Sequence, residues 1–374
     1  MRLSDFIFAD NIPGQPLPSP LNLGILKGEG IGPEVIQAAL VVLSALESAG
    51  NTEFKVTYCG PIGVESELRC GKALSEEVVR FCSDIFSQRG AILCGPGGGR
   101  FVYELRKEFD LFCKLVPIKV SSELVHSSRI KPEYLRDVDI LLIRENTSGV
   151  YQGRWKEVHT QDEGRKAEQS FFYSEKQVRR ILEVSARIAG QRSGKMAVAL
   201  KDSGIPAISA LWSDCTADVT SKLGVSCSIL NIDYLVYQLV SSPGQFDVIV
   251  APNLFGDILA DLGGVLLGSR GLTYSGNFSD NGSAVYQTNH GACYDLAGKD
   301  QANPVGQIYS LAMLLRESFG LTKEAALIES SVSEVWRQGW RTADLAEKRC
   351  RLAGAGEIGN LIAENLVRLS RTGL

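Results

Sequence analysis

The sequence contains no Cys-x-x-Cys pair, no excess of basic residues and no apolar run of membrane-spanning length. Its nine cysteines are odd in number and scattered, which argues against a disulfide framework or a zinc site and favours a reducing, cytoplasmic location. The formal net charge of −4 argues against a dedicated nucleic-acid binder. Met1–Asp10 lacks the apolar core of a signal peptide, and no membrane association is expected.

The composition is that of a large globular protein. A chain of 374 residues, 44% hydrophobic and 22% charged, has enough material for two domains. Short apolar segments alternate with longer stretches of helical periodicity, which predicts an α/β protein with a largely parallel main sheet. The predicted strands are Leu21–Lys27, Phe54–Tyr58, Ala91–Cys94, Ile140–Ile143, Met196–Leu200, Ser226–Leu230 and Val248–Ala251. The Gly/Ser-rich stretch Gly263–Ser283 is expected to be a loop-rich crossing between two lobes.

The 38 glycines include two candidate anion-binding loops. Gly28, Gly30 and Gly32 follow a predicted strand and open a helix, as in dinucleotide-binding folds, but the third glycine comes one residue early. A tight turn between strand and helix explains this spacing equally well. The run Gly95–Gly99 would let backbone N–H groups converge on a phosphate or carboxylate, or it forms a mobile loop. Neither loop identifies a cofactor by itself.

A pair of acids in the segment Asn253–Asp261 is more specific. If the segment is helical, Asp257 and Asp261 lie one turn apart on the same face. Such like charges repel unless a cation lies between them, and carboxylate oxygens are preferred ligands of Mg²⁺ and Mn²⁺. A solvated helix face is the alternative, which the surrounding apolar residues disfavour. A third acid, Asp233, lies among apolar neighbours, where an unpaired charge is costly.

Charged and phenolic residues follow two predicted strands. Arg144 lies at the end of one predicted strand and Tyr151 follows it a few residues later. Lys201 comes directly after another predicted strand. Ligands of open α/β sheets bind at the carboxyl ends of strands. Each residue alone is typical of a protein surface, but together they predict a site.

The chain resembles the metal-dependent β-decarboxylating dehydrogenases that oxidise isopropylmalate, isocitrate and related malates. The matching segments extend over almost the whole chain, and Arg341–Leu345 leans toward the isopropylmalate branch; they are Gly28–Val35, Leu105–Phe112, Arg144–Gly153, Asp247–Asp261, His290–Pro304 and Arg341–Leu345. The resemblance implies an isopropylmalate-dehydrogenase-like two-domain α/β fold that is not a true Rossmann fold. Residues 1–111 and 268–374 would form a large NAD-binding domain with a mainly parallel sheet. Residues 112–267 would form a smaller inserted α/β domain that makes the contact of a homodimer.

The resemblance also implies chemical roles for five residues. Asp257 and Asp261 match two metal ligands of one subunit, and Asp233 matches the metal ligand and substrate contact supplied by the dimer partner. Lys201, also from the partner, matches the lysine that transfers a proton at the substrate hydroxyl. Tyr151 matches the tyrosine that protonates the enol after carbon dioxide leaves. The active site would therefore be shared between subunits, with Mg²⁺ or Mn²⁺ bound in it.

Binding residues are carried over in the same way. Arg106 and Arg144 match arginines that hold substrate carboxylates, for which a planar guanidinium fork is suited. The resemblance implies that the Asp295 carboxylate accepts hydrogen bonds from the ribose hydroxyls of the cofactor. Its charge would repel a 2′-phosphate, so NAD is expected rather than NADP. The expected cofactor-binding residues are Gly291, Asp295, Leu296, Gly298 and Asn303.

Several positions depart from the family pattern. Val116 replaces an arginine that holds a substrate carboxylate, a loss of about 1.5–3 kcal/mol for one charge-assisted contact. Gly99 replaces an acid that faces the substrate side chain. Glu29, Ser203 and Gln287 replace an aspartate, an asparagine and a glutamate. Because the metal and proton-transfer positions persist while these have changed, we expect a working enzyme with a non-standard substrate.

Three functions remain open from the sequence. The first is NAD- and Mg²⁺/Mn²⁺-dependent oxidative decarboxylation of a 3-substituted malate, a small 2-hydroxy acid, to a 2-oxo acid and CO₂. The second is a tartrate- or malate-type or specialised-pathway dehydrogenase of the same family. The third is a catalytically silent regulatory subunit, which the presence of all five metal and proton-transfer residues disfavours.

Overall fold

The computed structural model describes residues 2–8, 17–50 and 52–372. Met1, Ala9 and Asp10, which belong to the segment inspected for a signal peptide, lie outside the described residues. Strands and helices alternate along the chain, and the predicted strands are all present with bounds that differ by at most two residues at either end. The main-sheet strands are Leu21–Leu26 (β1), Phe54–Tyr58 (β2), Ala91–Cys94 (β3), Cys113–Lys119 (β4), Asp139–Glu145 (β5), Lys195–Leu200 (β8), Ser226–Asn231 (β9), Val248–Ala251 (β10), Tyr274–Phe278 (β11) and Ala284–Thr288 (β12).

Four further strands form two small pairs: Arg154–Thr160 (β6) with Gly164–Ser170 (β7), and Trp340–Arg341 (β13) with Arg351–Leu352 (β14). The α-helices in the described part of the chain are Gly32–Ala49 (α1), Gly63–Cys70 (α2), Glu76–Ser87 (α3), Phe101–Glu108 (α4), Pro132–Leu135 (α5), Glu175–Gln191 (α6), Pro206–Leu223 (α7), Ile232–Ser241 (α8), Asn253–Leu267 (α9), Val305–Glu317 (α10), Thr322–Arg337 (α11) and Ala355–Ser370 (α12).

The main sheet has ten strands in the order β2-β1-β3-β12-β11-β4-β5-β10-β8-β9. Both ends of this sheet are parallel, whereas β12, β11, β4 and β5 pair antiparallel in its centre. Every residue of β1, β3 and β10 is buried, because helices cover both faces of a parallel sheet. The α/β class and the largely parallel sheet are confirmed.

The predicted domain ranges coincide with the two halves of this sheet. Strands β1, β2, β3, β11 and β12 belong to 1–111 and 268–374, and strands β4, β5, β8, β9 and β10 belong to 112–267. The halves meet where β11 pairs with β4. One hydrophobic core cluster contains residues from both halves. The division into two domains stays a prediction.

The prediction that Gly263–Ser283 is rich in loops is wrong. Helix α9 continues to Leu267, and Tyr274–Phe278 is a strand. The glycines serve close packing here: a Cβ at Gly263 would lie 2.7 Å from Cδ1 of Ile118, so a larger residue would require Ile118 of β4 to shift. Glycine content alone therefore misidentified a packed segment as a loop.

Helix α1 is, by length and composition, apolar enough to cross a membrane, which the sequence reading did not anticipate. Its apolar face is buried in the protein, since Val35, Ala39 and Val42 are completely inaccessible to solvent. We interpret α1 as a core helix, because a helix buried between other elements satisfies the same hydropathy test as a membrane span.

Candidate active site

Two neighbouring strands deliver the central residues of the site. Arg144 is the next-to-last residue of β5, and β10, which pairs in parallel with β5, leads through Pro252 into helix α9. The carboxyl end of β5 therefore lies beside the N-terminal turns of α9. Asp257 and Asp261 lie one turn apart in α9, as the helical spacing predicts.

Arg144 is almost completely buried, with 1% of its side chain exposed. Its Nη1 forms an ion pair with Oδ1 of Asp257, and its Nε and Nη2 donate to Oδ1 of Asn253 at 3.0 and 2.7 Å. The amide of Asn253 is oriented in turn by donation from its Nδ2 to the carbonyl of Ser148 at 2.7 Å. A Cβ at Gly256 would lie 2.7 Å from Cγ of Arg144. Glycine at this position thus leaves room for the arginine under the helix.

Tyr151 binds the other oxygen of the same carboxylate. Its hydroxyl donates to Oδ2 of Asp257 at 2.8 Å. Burial, followed by the hydrogen bond to Asp257, raises the pKa of Tyr151 above its ordinary value. The phenol is therefore held protonated at neutral pH, as a proton donor requires.

Asp257 stays ionised in this environment. Burial by itself would raise its pKa, but Arg144 and the Tyr151 hydroxyl outweigh burial, and the pKa of Asp257 is lowered. Asp261 is more exposed and pairs through both oxygens with Nη2 of Arg270 at 3.0 Å. Ile258 is also half exposed, so α9 is less buried than its apolar residues suggested. Its acids nonetheless have partners and do not form a merely solvated face.

Two further buried cations face this group. Arg106 of α4 and Lys114 of β4 are only 5% and 3% exposed. Nε of Arg106 has no hydrogen-bond partner. Burial, then the charge of Arg144, lowers the pKa of Arg106; burial, then Arg106 and Arg144, lowers the pKa of Lys114 well below its ordinary value. The sequence reading predicted Arg106 but missed Lys114.

Lys201 and Asp233 lie outside this group. Nζ of Lys201 contacts Oδ1 of Asp233 at 2.9 Å, with side chains 37% and 67% exposed. Neither residue is among the hydrogen-bond or ion-pair partners of Asp257 and Asp261 in the described chain. The expectation of a costly, unpaired charge at Asp233 is wrong: its sequence neighbours are apolar, but the acidic first turn of helix α8 faces solvent and Asp233 is paired with Lys201. The hydrogen bond from Lys201 lowers the pKa of Asp233.

The expected cofactor loop packs against the first glycine turn. The amide of Ile31 donates to the carbonyl of Ala292 at 2.8 Å, and Leu296 packs on a small apolar cluster that includes Ile31 and Val35. Asp295 is exposed, and a Cβ at Gly291 or Gly298 would meet nothing within 4 Å. Open space and an exposed acid fit a ligand with ribose hydroxyls.

Asn303 anchors the far end of this loop. Its Nδ2 donates to Asp344 at 3.1 Å and its Oδ1 accepts the amide of Val305. At the near end, His290 is buried and its Nε2 has no hydrogen-bond partner. An unsatisfied buried ring nitrogen beside an open loop fits a ligand that supplies the missing contact.

The acids of the site fit a hard divalent cation, although one chain supplies an incomplete set. Carboxylate oxygens one turn apart suit Mg²⁺ or Mn²⁺. No cluster of three or more acidic, histidine or cysteine side chains able to hold a metal occurs among residues 2–8, 17–50 and 52–372. Asp257 and Asp261 would therefore need a further ligand from water, substrate or a second chain.

The structure shows what surrounds three of the residues that depart from the family pattern. Val116 is buried in β4. Gly99 has φ +57°, and a Cβ there would lie 3.3 Å from Oε2 of Glu67, so an acid from α2 lies beside the position that lacks one. The Glu29 carboxylate accepts backbone amides of Glu65 and Gly98 at 2.8 and 2.6 Å, which identifies it as a support for these loops.

The sequence and the fold of this chain are similar to those of known proteins. A sequence model of the isocitrate/isopropylmalate dehydrogenase family matches residues 22–362. The 3-isopropylmalate dehydrogenase of Aquifex aeolicus (strain VF5) is 37% identical over 93% of this chain and 97% of that protein. That of Bacillus subtilis (strain 168) is 36% identical over 87% and 91%. The crystal structure of isocitrate dehydrogenase from Methylococcus capsulatus has a TM-score of 0.83 at 26% identity, over 92% of this chain and 99% of that one.

Proposed function

The chain belongs to the isocitrate/isopropylmalate dehydrogenase family and is an oxidoreductase acting on a CH–OH group, and on this premise we propose that it is an NAD-dependent, Mg²⁺- or Mn²⁺-dependent decarboxylating dehydrogenase of a 3-substituted malate. The observation that carries the proposal is the convergence of Arg144 and Tyr151 on the two oxygens of Asp257. This arrangement combines a carboxylate-binding cation, a protonated phenol and a metal-binding acid in one place.

The substrate would be held by the buried cations. Arg106 and Arg144 would bind the carboxylates of a 2-hydroxy acid, because an arginine fork binds a carboxylate with two parallel hydrogen bonds. Arg144 is already positioned by Asn253, so little side-chain freedom is lost on binding. The changed positions Val116 and Gly99 favour a substrate other than isopropylmalate itself.

Asp257 and Asp261, with Asp233 of a second subunit, would hold the divalent cation. In that position the cation would supply Lewis acidity toward the 2-hydroxyl and the corresponding ketone, which would favour loss of the neighbouring carboxylate. Lys201 of the second subunit removes the hydroxyl proton, and Tyr151 returns a proton to the carbon from which CO₂ has left. The raised pKa of Tyr151 keeps this proton available.

NAD is the proposed cofactor rather than NADP. Asp295 is exposed in an open loop, and its negative charge would repel a 2′-phosphate while its oxygens accept ribose hydroxyls. Gly291, Leu296, Gly298 and Asn303 shape the same loop. The glycines of the first turn serve close backbone packing: Gly30 packs against Ala292, Gly28 against Gly95 and Pro96, and Gly32 against the carbonyl of Lys27. We therefore do not interpret them as a pyrophosphate-binding fingerprint.

A homodimer with shared active sites accounts for the position of Lys201 and Asp233. Both are exposed in one chain, and exposed large apolar residues lie near them on α8 and α9: Tyr234, Tyr237, Val240, Ile258 and Val265. Monomeric proteins rarely expose such apolar groups together, which favours a subunit contact. With nine free cysteines, the enzyme suits the cytoplasm.

The test is NADH production from 3-substituted malates, isocitrate, tartrate and malate, with Mn²⁺ and with EDTA. We expect metal-dependent activity with NAD and release of CO₂ from at least one 3-substituted malate. Activity that survives EDTA or requires NADP would contradict the mechanism. Activity with tartrate or malate alone would favour the sibling dehydrogenase, and no activity with any of them would favour a silent subunit.

A further inference from the structure

The active site contains more buried basic side chains than acidic partners for them. Arg106, Lys114 and Arg144 are all at most 5% exposed, and of these only Arg144 has an ion pair in the described chain, with Asp257. The other nearby acid, Asp261, pairs with Arg270. Buried charges are normally paired, so this excess indicates that an anion completes the site.

Lys114 is placed to contact that anion. It lies directly opposite Arg144 in the antiparallel pair β4–β5, so the two side chains leave the sheet on the same face about 4.5–5.5 Å apart at Cβ. Asn277 lies opposite Lys114 on the other side, but both polar atoms of its amide are already engaged with Asn146 and Val285. No described residue forms a hydrogen bond or an ion pair with the ammonium group of Lys114.

The same face of β4 carries the departure from the family pattern. Residues 114 and 116 are two apart in a strand, so their side chains point to the same side. The resemblance leads us to expect an arginine at the position of Val116, and Lys114 places a basic side chain one step nearer the carboxyl end of β5. The shift along the strand is about 6.5–7 Å. A basic side chain therefore lies on this surface two residues from the position at which the resemblance leads us to expect one.

We propose that Lys114 binds a carboxylate of the substrate and selects 2-hydroxy acids that carry a second carboxylate. This inference rests on the proposed function and names a specificity residue within it. A lysine is a compact charge with three rotatable donors, whereas arginine has a planar fork. The second carboxylate would therefore be held by one charge-assisted contact from Lys114 in addition to the arginines, in a position unlike that imposed by an arginine at 116.

Ligand-induced stabilisation tests the proposal without requiring turnover. The melting temperature of the full-length enzyme would be measured with Mn²⁺ and malate, tartrate or 3-isopropylmalate, and with lactate, which has the 2-hydroxy acid group but one carboxylate. The variants K114M and K114Q remove the charge. K119M removes an exposed lysine of the same strand, whose partner is Asp139 at 3.8 Å, and serves as the matched control.

We expect the dicarboxylates to stabilise the wild type and K119M more than lactate does. In K114M and K114Q the apparent Kd for dicarboxylates should rise by about ten- to one-hundred-fold, the range of a charge-assisted hydrogen bond, while lactate is little affected. Without ligand these variants should melt no lower than the wild type, because they remove a buried cation that faces two others. A merely structural lysine would instead lower the unliganded melting temperature.

Three results would overturn the inference: no dicarboxylate preference in the wild type, an equal preference in K114M, or a large loss of stability of both neutral variants without ligand. The failure of the proposed function is a separate outcome. In that outcome the wild type would produce no NADH, but dicarboxylates would still stabilise it. The same dicarboxylates would not stabilise K114M.

Discussion

Asp257 is the residue on which the site converges, since Arg144 binds one of its oxygens and Tyr151 the other. D257N removes the negative charge at nearly constant shape. We expect turnover to fall at least about a hundredfold, because the proposed metal site would lose a charged ligand and with it several kcal/mol of charge stabilisation. Steady-state NADH production would measure turnover, while fluorescence titration with NADH and size-exclusion chromatography should show nearly unchanged cofactor binding and dimer formation.

The matched control for this change is D84N, at an exposed acid of α3. It should behave as the wild type in every assay. Wild-type turnover in D257N would remove the metal assignment. A loss of folding in D257N would instead show that its main role is to neutralise Arg144.

His290 gives a prediction about stability and pH. Burial lowers its pKa below the ordinary 6.5 of an exposed histidine. As pH falls below about 6.5, the unfolded chain takes up a proton at His290 before the folded chain does, so the free energy of unfolding decreases. Between pH 7.5 and 5.5, urea unfolding should therefore show a larger loss of stability for the wild type than for H290Q.

His126, which is exposed, provides the comparison for this measurement. H126Q makes the same substitution at an exposed position and measures the effect of the substitution itself over the same pH interval. An equal loss in H290Q and the wild type would show that unfolding takes up no additional proton at His290.

At the scale of elements, the turn from β1 to α1 supports the loop expected to bind the cofactor. Gly30 has φ +58°, and a Cβ there would lie 1.9 Å from the carbonyl oxygen of Ala292. G30A should therefore lower the free energy of unfolding by more than the ~1–2 kcal/mol of a left-handed alanine, and displacement of the loop should raise the KM for NAD roughly tenfold. Urea unfolding and steady-state kinetics would measure the two effects.

Gly339 is the control that distinguishes backbone strain at a positive φ from steric contact of the added Cβ. Its φ is +87°, but a Cβ would meet nothing within 4 Å, so G339A should show only the conformational cost and an unchanged KM for NAD. Equal effects of G30A and G339A would show that contact with Ala292 does not position the loop.

At the scale of the whole molecule, the sharing of the active site can be tested by mixing inactive subunits. A purified heterodimer of one K201M and one D257N subunit contains one intact site if Lys201 acts across the interface. We expect about half of the wild-type turnover, because one of two equivalent sites is restored in a twofold dimer. Each homodimeric variant should be inactive. The measurement is NADH production by heterodimers isolated with two different affinity tags.

A heterodimer of Y151F and D257N is the control. Tyr151 and Asp257 are hydrogen-bonded within one chain at 2.8 Å, so no combination of these subunits restores a site. Inactivity of the first heterodimer would place Lys201 and Asp257 in the same subunit. It would also contradict the proposed reason for the exposure of Lys201 in one chain.

Local patterns determined a large part of this structure from the sequence alone. The predicted strands are present because short apolar runs between helical segments need burial on both faces. Asp257 and Asp261 share a face because helical spacing is a local property. The resemblance to the isocitrate/isopropylmalate dehydrogenase family was confirmed by the family match over residues 22–362. Sequence reasoning was wrong at Gly263–Ser283, where glycine marks close packing.

Tertiary structure decided which charges meet. Lys114 and Arg144 are adjacent only through the register of β4 with β5, and Asn253 is recognisable as a positioning residue only from its bonds to Arg144 and Ser148. Asp233 is exposed and paired with Lys201 although its sequence neighbours are apolar. Periodicity along the chain determines which face of an element a residue occupies. Contact between faces, and with it burial and the net charge of the site, depends on strand order and register, which involve residues far apart in sequence.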